Sequence, residues 1–225
     1  MNYYRELLRQ KERIEPFRQA IKSVVGSGDR VLEVGTGVGT YSFFAADAGA
    51  ERVWAVDGDP VVHVAEGLAK LNGYAGKLEF FRGWIPEVSL PDRATVLIFE
   101  DFPARLLDAR TYRLLAKLRA DYLTGDSRFV PCGARLFAVP LNADSGIVSP
   151  LLPIGDNESA YGLDWSPTRD YVANTAHHLQ VPAEAVDVAP AVLAEISFER
   201  EHPVEELGGT GSWMYDRDTK VGGIA

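Results

Sequence analysis

Cysteine, positive charge and long apolar stretches are all scarce in this sequence. The 225 residues include one cysteine, Cys132, so no disulfide can form within the chain. The first residues, MNYYRELLRQKER, carry charges where a signal peptide has an apolar stretch, and no uninterrupted apolar run approaches the roughly 18 to 20 residues of a membrane span. We therefore expect a cytoplasmic protein without a membrane segment.

The shortage of positive charge excludes one class of partner. Lys and Arg number 23 against 32 Asp and Glu, which gives a formal net charge of −9. An acidic chain argues against general, charge-driven binding of nucleic acid or anionic membranes. The acidity is uneven, because residues 142–225 hold fourteen acidic and four basic side chains. Composition changes near Pro140, and we expect one domain over residues 1–140 and an acidic, β-rich module over residues 141–225.

Hydrophobic residues make up 46% of the chain and charged residues 24%, which is typical of a folded domain with a sizeable core. The histidines are few and lack the spacing with Asp, Glu or Cys partners that metal ligands show. They are His63, His177, His178 and His202. No metal site is predicted.

Hydrophobic periodicity predicts helices that alternate with strands. The predicted helices cover residues 3–25 with an interruption at Pro16, then 41–48, 61–71 and 109–122. The predicted strands cover residues 30–35, 53–56, 78–81 and 95–99, followed by 135–139, 192–198 and 212–215. The alternation indicates an α/β fold with a Rossmann-like, doubly wound, mostly parallel sheet. The later strands, separated by proline and glycine, favour a small antiparallel module.

A glycine-rich turn follows the first predicted strand, in Val31-Leu-Glu-Val-Gly-Thr-Gly-Val-Gly39. Glycines at this point let the backbone approach a ligand where open α/β sheets bind nucleotides. The dinucleotide fingerprint requires a further glycine where Thr40 stands, which disfavours a nicotinamide cofactor. Asp57 ends the second strand and can accept hydrogen bonds from both hydroxyls of a ribose. This pattern, with Glu33 ahead of the glycines, is typical of class I S-adenosylmethionine-dependent methyltransferases.

Beyond this motif, the chain resembles the protein arginine methyltransferases over nearly its whole length. The similar segments are residues 8–18, 43–53, 83–91, 129–140 and 162–170. The resemblance implies that S-adenosyl-L-methionine is the cofactor and that the second module is a partial β-barrel. It also implies the cofactor-binding residues, which are Arg13 on the methionine carboxylate, Glu33, Gly35, Thr36 and Gly37 at the turn, Asp57 and Gly58 at the ribose, and Trp84 and Ile85 beside the adenine.

The family's catalytic loop carries two glutamates after the fourth strand, and here that stretch is Phe99-Glu-Asp-Phe-Pro-Ala-Arg-Leu-Leu-Asp108. A pair of carboxylates can hold a planar guanidinium and direct one nitrogen at the methyl group. Glu100 fits the first glutamate, and Asp101 fits it in a gap-free register. Asp108 stands nearest to the second, one carbon shorter and one residue too early. Acids just after a buried strand also commonly cap the next helix.

The resemblance implies a methyltransferase that acts on protein arginine, with an arginine-rich protein segment as substrate and a homodimer as a possible assembly. The family's threonine-histidine-tryptophan loop has no match, and the sequence stops in what resembles the middle of the barrel. We therefore expect either a reduced barrel or a truncated product. Two alternatives stay open, namely a class I methyltransferase acting on another side chain or a small molecule, and a cofactor-binding subunit that has lost catalysis.

Overall fold

The structure is a computed structural model that describes residues 2–100, 102, 109–147, 162–168, 170–171, 174–177, 179–200 and 208–225. His178 and His202 lie outside the described residues. The chain divides into two compact units. The first comprises Met1–Ala134 and Glu195–Gly208, and the second comprises Arg135–Ala194 and Gly209–Ala225. The domain boundary near Pro140 stays a prediction.

The first unit is built on a five-stranded sheet in which every strand pair is parallel. Its strands are β1 (Arg30–Val34), β2 (Arg52–Asp57), β3 (Leu78–Arg82), β4 (Ala94–Phe99) and β5 (Leu123–Val130). Their order across the sheet is β3-β2-β1-β4-β5, so the direction of winding reverses next to β1. The predicted Rossmann-like, doubly wound sheet is confirmed. The periodicity did not predict β5, whose middle is polar.

Five helices accompany the sheet in the described part of the chain. They are α1 (Asn2–Arg9), α2 (Lys11–Val24), α3 (Thr40–Asp47), α4 (Val62–Leu71) and α5 (Ala109–Asp121). The predicted interruption at Pro16 is wrong, because the break falls at Gln10, whose non-helical ψ of 75° ends α1. Pro16 lies inside α2, where it removes one backbone hydrogen bond while the following turn is anchored by the fully buried Ile21.

The central strands are covered on both faces, which explains their continuous apolar sequences. Val31 and Leu32 of β1 are fully buried, as are Val96, Leu97 and Ile98 of β4. On one face, Ile21 of α2 and Ala45 of α3 pack in the same cluster as Val31. Burial of successive residues on both faces fixes the position of the strand ends, and the loops that follow those ends carry the candidate site.

The remaining strands are β6 (Gly133–Ala138), β7 (Pro140–Asn142), β8 (Ala191–Ser197) and β9 (Val221–Ile224). They form two two-stranded sheets, β6 with β8 and β7 with β9, and the second pair is antiparallel. Single turns of 3-10 helix occur at Ala143–Ser145, Ser166–Thr168 and Ala183–Ala185. None of the helices in the described ranges is long and apolar enough to cross a membrane.

The predicted strand at residues 212–215 is wrong, and β7 and β9 were not predicted. Side-chain contacts replace a backbone ladder in this segment. The indole of Trp213 donates to the carbonyl of Ala189 at 3.2 Å, and Met214 is 93% exposed. The alternation of residue types at 212–215 therefore reflects one packed ring and one exposed side chain, while the strand forms later at the short apolar run of β9.

Candidate active site

Three predicted site residues follow neighbouring strands of the parallel sheet. Gly35 comes directly after β1, Asp57 ends β2, and Glu100 comes directly after β4. Because β2, β1 and β4 are adjacent and parallel, these residues lie along one edge of the sheet. In open α/β sheets, the crevice outside the carboxyl ends of the strands, at the point where the strand order reverses, is where ligands bind.

The glycine turn is tied to the end of β2 by backbone hydrogen bonds. Gly35 N donates to the carbonyl of Val56 at 2.9 Å, and Gly37 N donates to Oδ2 of Asp57 at 2.7 Å. Gly37 has a φ of +55°, and a Cβ there would lie 2.6 Å from the Tyr4 ring. A side chain at this position would therefore be strained and would collide with α1.

Asp57 retains acceptor capacity for a ligand. Its Oδ1 accepts from Asp59 N and its Oδ2 from Gly37 N, both at 2.7 Å. Each carboxylate oxygen can accept a second hydrogen bond, and the residue is partly exposed. The carboxylate is held in place by two amides and keeps unused acceptor capacity, which suits the predicted contact with ribose hydroxyls.

Glu33 lies beneath the glycine turn and is 2% exposed. Its Oε2 accepts from the Thr36 hydroxyl at 2.8 Å and from the Ser42 hydroxyl. Burial away from water raises the pKa of Glu33 to about 7, against the lowering effect of these two hydroxyls. In this structure Glu33 and Thr36 stabilise the turn from below. Their predicted contact with the cofactor stays a prediction.

Trp84, Ile85 and Gly58 lie on the β3 side of Asp57. The Trp84 indole is 67% exposed and packs so closely on Gly58 that a Cβ there would lie 2.3 Å from the ring. Ile85 is half-buried, and the following Pro86 carbonyl accepts from the Tyr122 hydroxyl at 2.8 Å. An exposed aromatic ring beside Asp57, the residue predicted to bind the ribose, is a surface on which a flat base can stack.

Arg13 and Glu100, which are 87 positions apart, form an ion pair in the site. Arg13 Nε donates to Glu100 Oε1 at 2.7 Å, and Nη2 donates to the same oxygen. Burial lowers the pKa of Arg13, but the hydrogen bond and charge of Glu100 outweigh it, and the net shift is upward. The site thus joins a cation to an acid whose second oxygen, Oε2, accepts no hydrogen bond from the residues that the structure describes.

The backbone after β4 is held by aromatic packing. Phe102 N donates to the Glu100 carbonyl at 2.9 Å, and the Phe102 ring stacks on Phe198 with centroids 4.9 Å apart. Phe99 contacts the same ring edge-on. Glu100 therefore stands on a supported turn. The other two predicted catalytic acids, Asp101 and Asp108, lie outside the described residues and stay predictions.

Sequence reasoning missed Tyr41, in the first turn of α3. The residue is 6% exposed, and its hydroxyl proton has no acceptor among the described residues. Burial, followed by the charge of Glu100, raises the pKa of Tyr41 to about 12, and Arg13 acts in the opposite direction. The available signal was its position two residues after Gly39, where the helix begins beside the glycine turn.

Known proteins with similar sequences are methyltransferases. A family model described as ribosomal protein L11 methyltransferase (PrmA) matches residues 18–95. Protein arginine N-methyltransferase 2 of Dictyostelium discoideum is 27% identical over 95% of this chain and 46% of its own length. A probable histone-arginine methyltransferase 1.4 of Arabidopsis thaliana is 30% identical over 76% of this chain and 34% of its own. The chain spans about half or less of the length of these relatives.

Solved structures show the same fold. A Trypanosoma brucei PRMT1 enzyme-prozyme heterotetrameric complex with AdoHcy superposes with a TM-score of 0.80 at 24% identity, covering 88% of this chain and 62% of its own. Protein arginine methyltransferase 10 of Arabidopsis thaliana gives 0.73 at 22% identity, covering 92% and 65%. The chain therefore resembles the protein arginine N-methyltransferases in sequence over most of its length and has their Rossmann-like, class I methyltransferase fold.

Proposed function

We propose that this chain is an S-adenosylmethionine-dependent methyltransferase that methylates arginine side chains of proteins. The observation that carries the proposal is the pairing of Arg13 with Glu100 at the end of β4, beside the glycine turn and Asp57. The pair joins a cation suited to a carboxylate with an acid suited to a guanidinium. A site that binds only a nucleotide would require neither Arg13 nor Glu100.

The residues at the crevice fit the proposed cofactor. Gly37 keeps the turn free of a side chain, and Asp57 has unused acceptor positions. Arg13 offers a partly buried guanidinium, and the buried hydroxyl of Tyr41 is a donor without an acceptor. These donors and acceptors match the hydroxyls and the carboxylate of an adenosyl amino acid, and the exposed Trp84 ring matches its base.

When bound, S-adenosylmethionine supplies a methyl group on a positively charged sulfur, which a guanidinium nitrogen of the substrate takes up with loss of one proton. The contribution of this chain is orientation and charge, since such a displacement requires the nitrogen to be in line with the methyl carbon. Glu100 accepts N–H bonds from the substrate guanidinium and holds it in one plane. The stacked Phe102 keeps Glu100 at a fixed position after β4.

The substrate, assembly and location belong to this proposal. A protein substrate is supported by relatives whose names include histone-arginine and ribosomal protein arginine methyltransferases. Fourteen acidic side chains in residues 142–225 favour an arginine-rich segment by charge complementarity. A homodimer and a cytoplasmic location are also proposed, the second because a single cysteine suits a reducing compartment.

The test is replacement of Glu100 by Gln. The amide keeps the shape and can still accept from Arg13, but it lacks the negative charge that holds a guanidinium. We expect transfer of tritiated methyl groups to an arginine- and glycine-rich peptide to fall at least about 100-fold. Binding of S-adenosylhomocysteine, measured by isothermal titration calorimetry, should stay within about threefold of the parent chain.

The matched control is Glu79→Gln, on the exposed surface of β3, which should leave transfer and binding unchanged. Acid hydrolysis of labelled lysate then identifies the acceptor. Methylated arginine supports the proposal, whereas another methylated residue or a labelled small molecule points to the first alternative function. Cofactor binding with no transfer unless a partner chain is added points to a subunit without catalysis. Absence of S-adenosylhomocysteine binding at millimolar concentration contradicts all of them.

A further inference from the structure

The hydroxyl of Tyr41 is a buried donor that the proposed site does not yet use. The ring is fixed, because it stacks on Phe17 with centroids 5.0 Å apart and contacts Phe44 at 6.2 Å. Tyr41 is the second residue of α3 and lies two positions after the left-handed Gly39 that caps the helix. Since both the helix and the ring are held in place, the hydroxyl cannot turn outward to find water.

The charges around this hydroxyl are those of the candidate site. Arg13, Glu100 and Glu33 all influence its ionisation, and burial together with Glu100 raises the pKa of Tyr41 to about 12. The phenol is therefore protonated at neutral pH and acts as a donor. Arg13 can donate a hydrogen bond to the phenol oxygen, which lowers the pKa of Tyr41, but a guanidinium has no acceptor for the Tyr41 proton. Glu100 Oε1 is already used by two nitrogens of Arg13, and the Tyr41 hydroxyl makes no hydrogen bond to Oε2.

A buried hydroxyl whose proton has no acceptor is uncommon in a folded protein, because the lost hydration of the donor is not replaced. Tyr41 is nine-tenths buried and stands where a charged ligand is expected to meet Arg13. An anion on Arg13 would be the acceptor that the hydroxyl lacks. It would also compete with Glu100 for the same guanidinium.

We propose that Tyr41 is a further cofactor-binding residue, whose hydroxyl donates to the carboxylate of the amino-acid part of the cofactor while Arg13 turns from Glu100 to that carboxylate. This rests on the proposed function. The exchange leaves both oxygens of Glu100 open to the substrate guanidinium. Cofactor binding therefore prepares the acid that receives the substrate, and the two ligands bind cooperatively.

The test compares two ligands that differ in the amino-acid part alone. S-Adenosylhomocysteine has the carboxylate, whereas 5′-methylthioadenosine has the same adenosine and thioether without it. Calorimetry of the Tyr41→Phe variant should give a Kd for S-adenosylhomocysteine raised about tenfold, as expected for loss of one hydrogen bond to a charged group. The Kd for 5′-methylthioadenosine should not change.

The matched control is Tyr74→Phe, which removes a phenol that donates to Asp47 at 2.6 Å outside the site, and it should alter neither Kd. Tyr41→Phe retains the ring stacked on Phe17, so an unchanged thermal midpoint is expected. Equal weakening of both ligands, or unchanged binding of S-adenosylhomocysteine, overturns the role of Tyr41 while leaving the proposed function intact. Failure of the parent chain to bind either ligand overturns the proposed function and this inference together.

Discussion

The two compact units of this chain bury their apolar residues to very different extents. In the first unit, the central strands β1, β2 and β4 are covered on both faces, and Leu97 and Ile98 are fully buried. Among the described residues of the second unit, the buried apolar side chains are Ala138, Pro140, Leu141 and Ala185, while Phe137 and Ile224 are at least half exposed. The first unit contains the residues that position the candidate site, and its stability rests on its own core.

The difference also concerns where ionisable groups are found. The first unit holds a carboxyl group at its centre, Glu33, under the glycine turn. The described acids of the second unit include Asp164, which is exposed and accepts from Ser166 N at 2.9 Å. Ionisation of a buried acid changes the stability of the fold, which therefore depends on pH. An exposed acid contributes mainly to the negative electrostatic potential that attracts a cationic partner.

The sharpest test of the comparison is the same substitution in both units. Ile98→Ala in β4 leaves a cavity in the fully buried sheet and should lower the free energy of unfolding by about 3 kcal/mol. Ile224→Ala in β9, where the side chain is 61% exposed, should cost less than about 1 kcal/mol. Urea unfolding followed by circular dichroism measures both. Equal losses would mean that Ile224 is packed as tightly as Ile98.

The next effect is a pH dependence that originates in the first unit. The pKa of Glu33 is raised to about 7 by burial, against 4.5 in the unfolded chain, so the folded state binds the extra proton between these values. Its contribution to stability is present below pH 4.5 and is lost as pH rises through 7. Between pH 5.5 and 7.5 the chain should lose about 2 kcal/mol through Glu33, and the Glu33→Gln variant should not.

In the second unit, Asp164→Asn is the substitution to compare with Glu33→Gln for its effect on the pH dependence of stability. The hydrogen bond from the Ser166 backbone lowers the pKa of Asp164 below its ordinary value of 3.8, so its contribution is present above that value and is lost only as pH falls through the folded pKa. The slope between pH 5.5 and 7.5 should therefore match that of the parent chain. A slope that Glu33→Gln leaves unchanged would show that Glu33 ionises normally in the folded protein.

The smallest effect concerns two glycines with left-handed backbones. Gly37 has a φ of +55° and the Tyr4 ring 2.6 Å from an added Cβ, whereas Gly146 has a φ of +74° and open space around it. Gly146→Ala should cost about 1 kcal/mol of stability in urea unfolding, and Gly37→Ala should cost more because the Tyr4 ring must also move. Gly37→Ala should also weaken S-adenosylhomocysteine binding several-fold in calorimetry, and Gly146→Ala should not. Equal S-adenosylhomocysteine binding by both variants would mean that the glycine turn is not part of the cofactor site.

The first unit could be predicted from sequence far better than the second. Continuous apolar runs such as Thr95–Phe99 and a glycine turn between a strand and a helix are local signals, and the parallel sheet followed from their alternation. The polar middle of β5 hid a strand that tertiary pairing with β4 stabilises. In the second unit, residues 212–215 have the alternation of a strand, yet the long-range contact of Trp213 with Ala189 decides their conformation.

The site shows the same division. The types and spacing of Gly35, Gly37 and Asp57 predicted where the turn and the ribose acid lie, and the structure joins them by one hydrogen bond. The ion pair of Arg13 with Glu100 spans 87 positions, and no local pattern relates them. The position of Tyr41 two residues after Gly39 was a weak signal, since an aromatic residue early in a helix is ordinarily part of the core.

By itself, therefore, the sequence determined the parallel sheet, the glycine turn and the identity of the charged groups around it, because these depend on periodicity and on residues close together in the chain. The tertiary structure alone decided which charges meet, which carboxyl group is buried and which hydroxyl lacks an acceptor. Those properties depend on distances between residues far apart in sequence and on exclusion of water, and both arise only when the helices pack on the sheet.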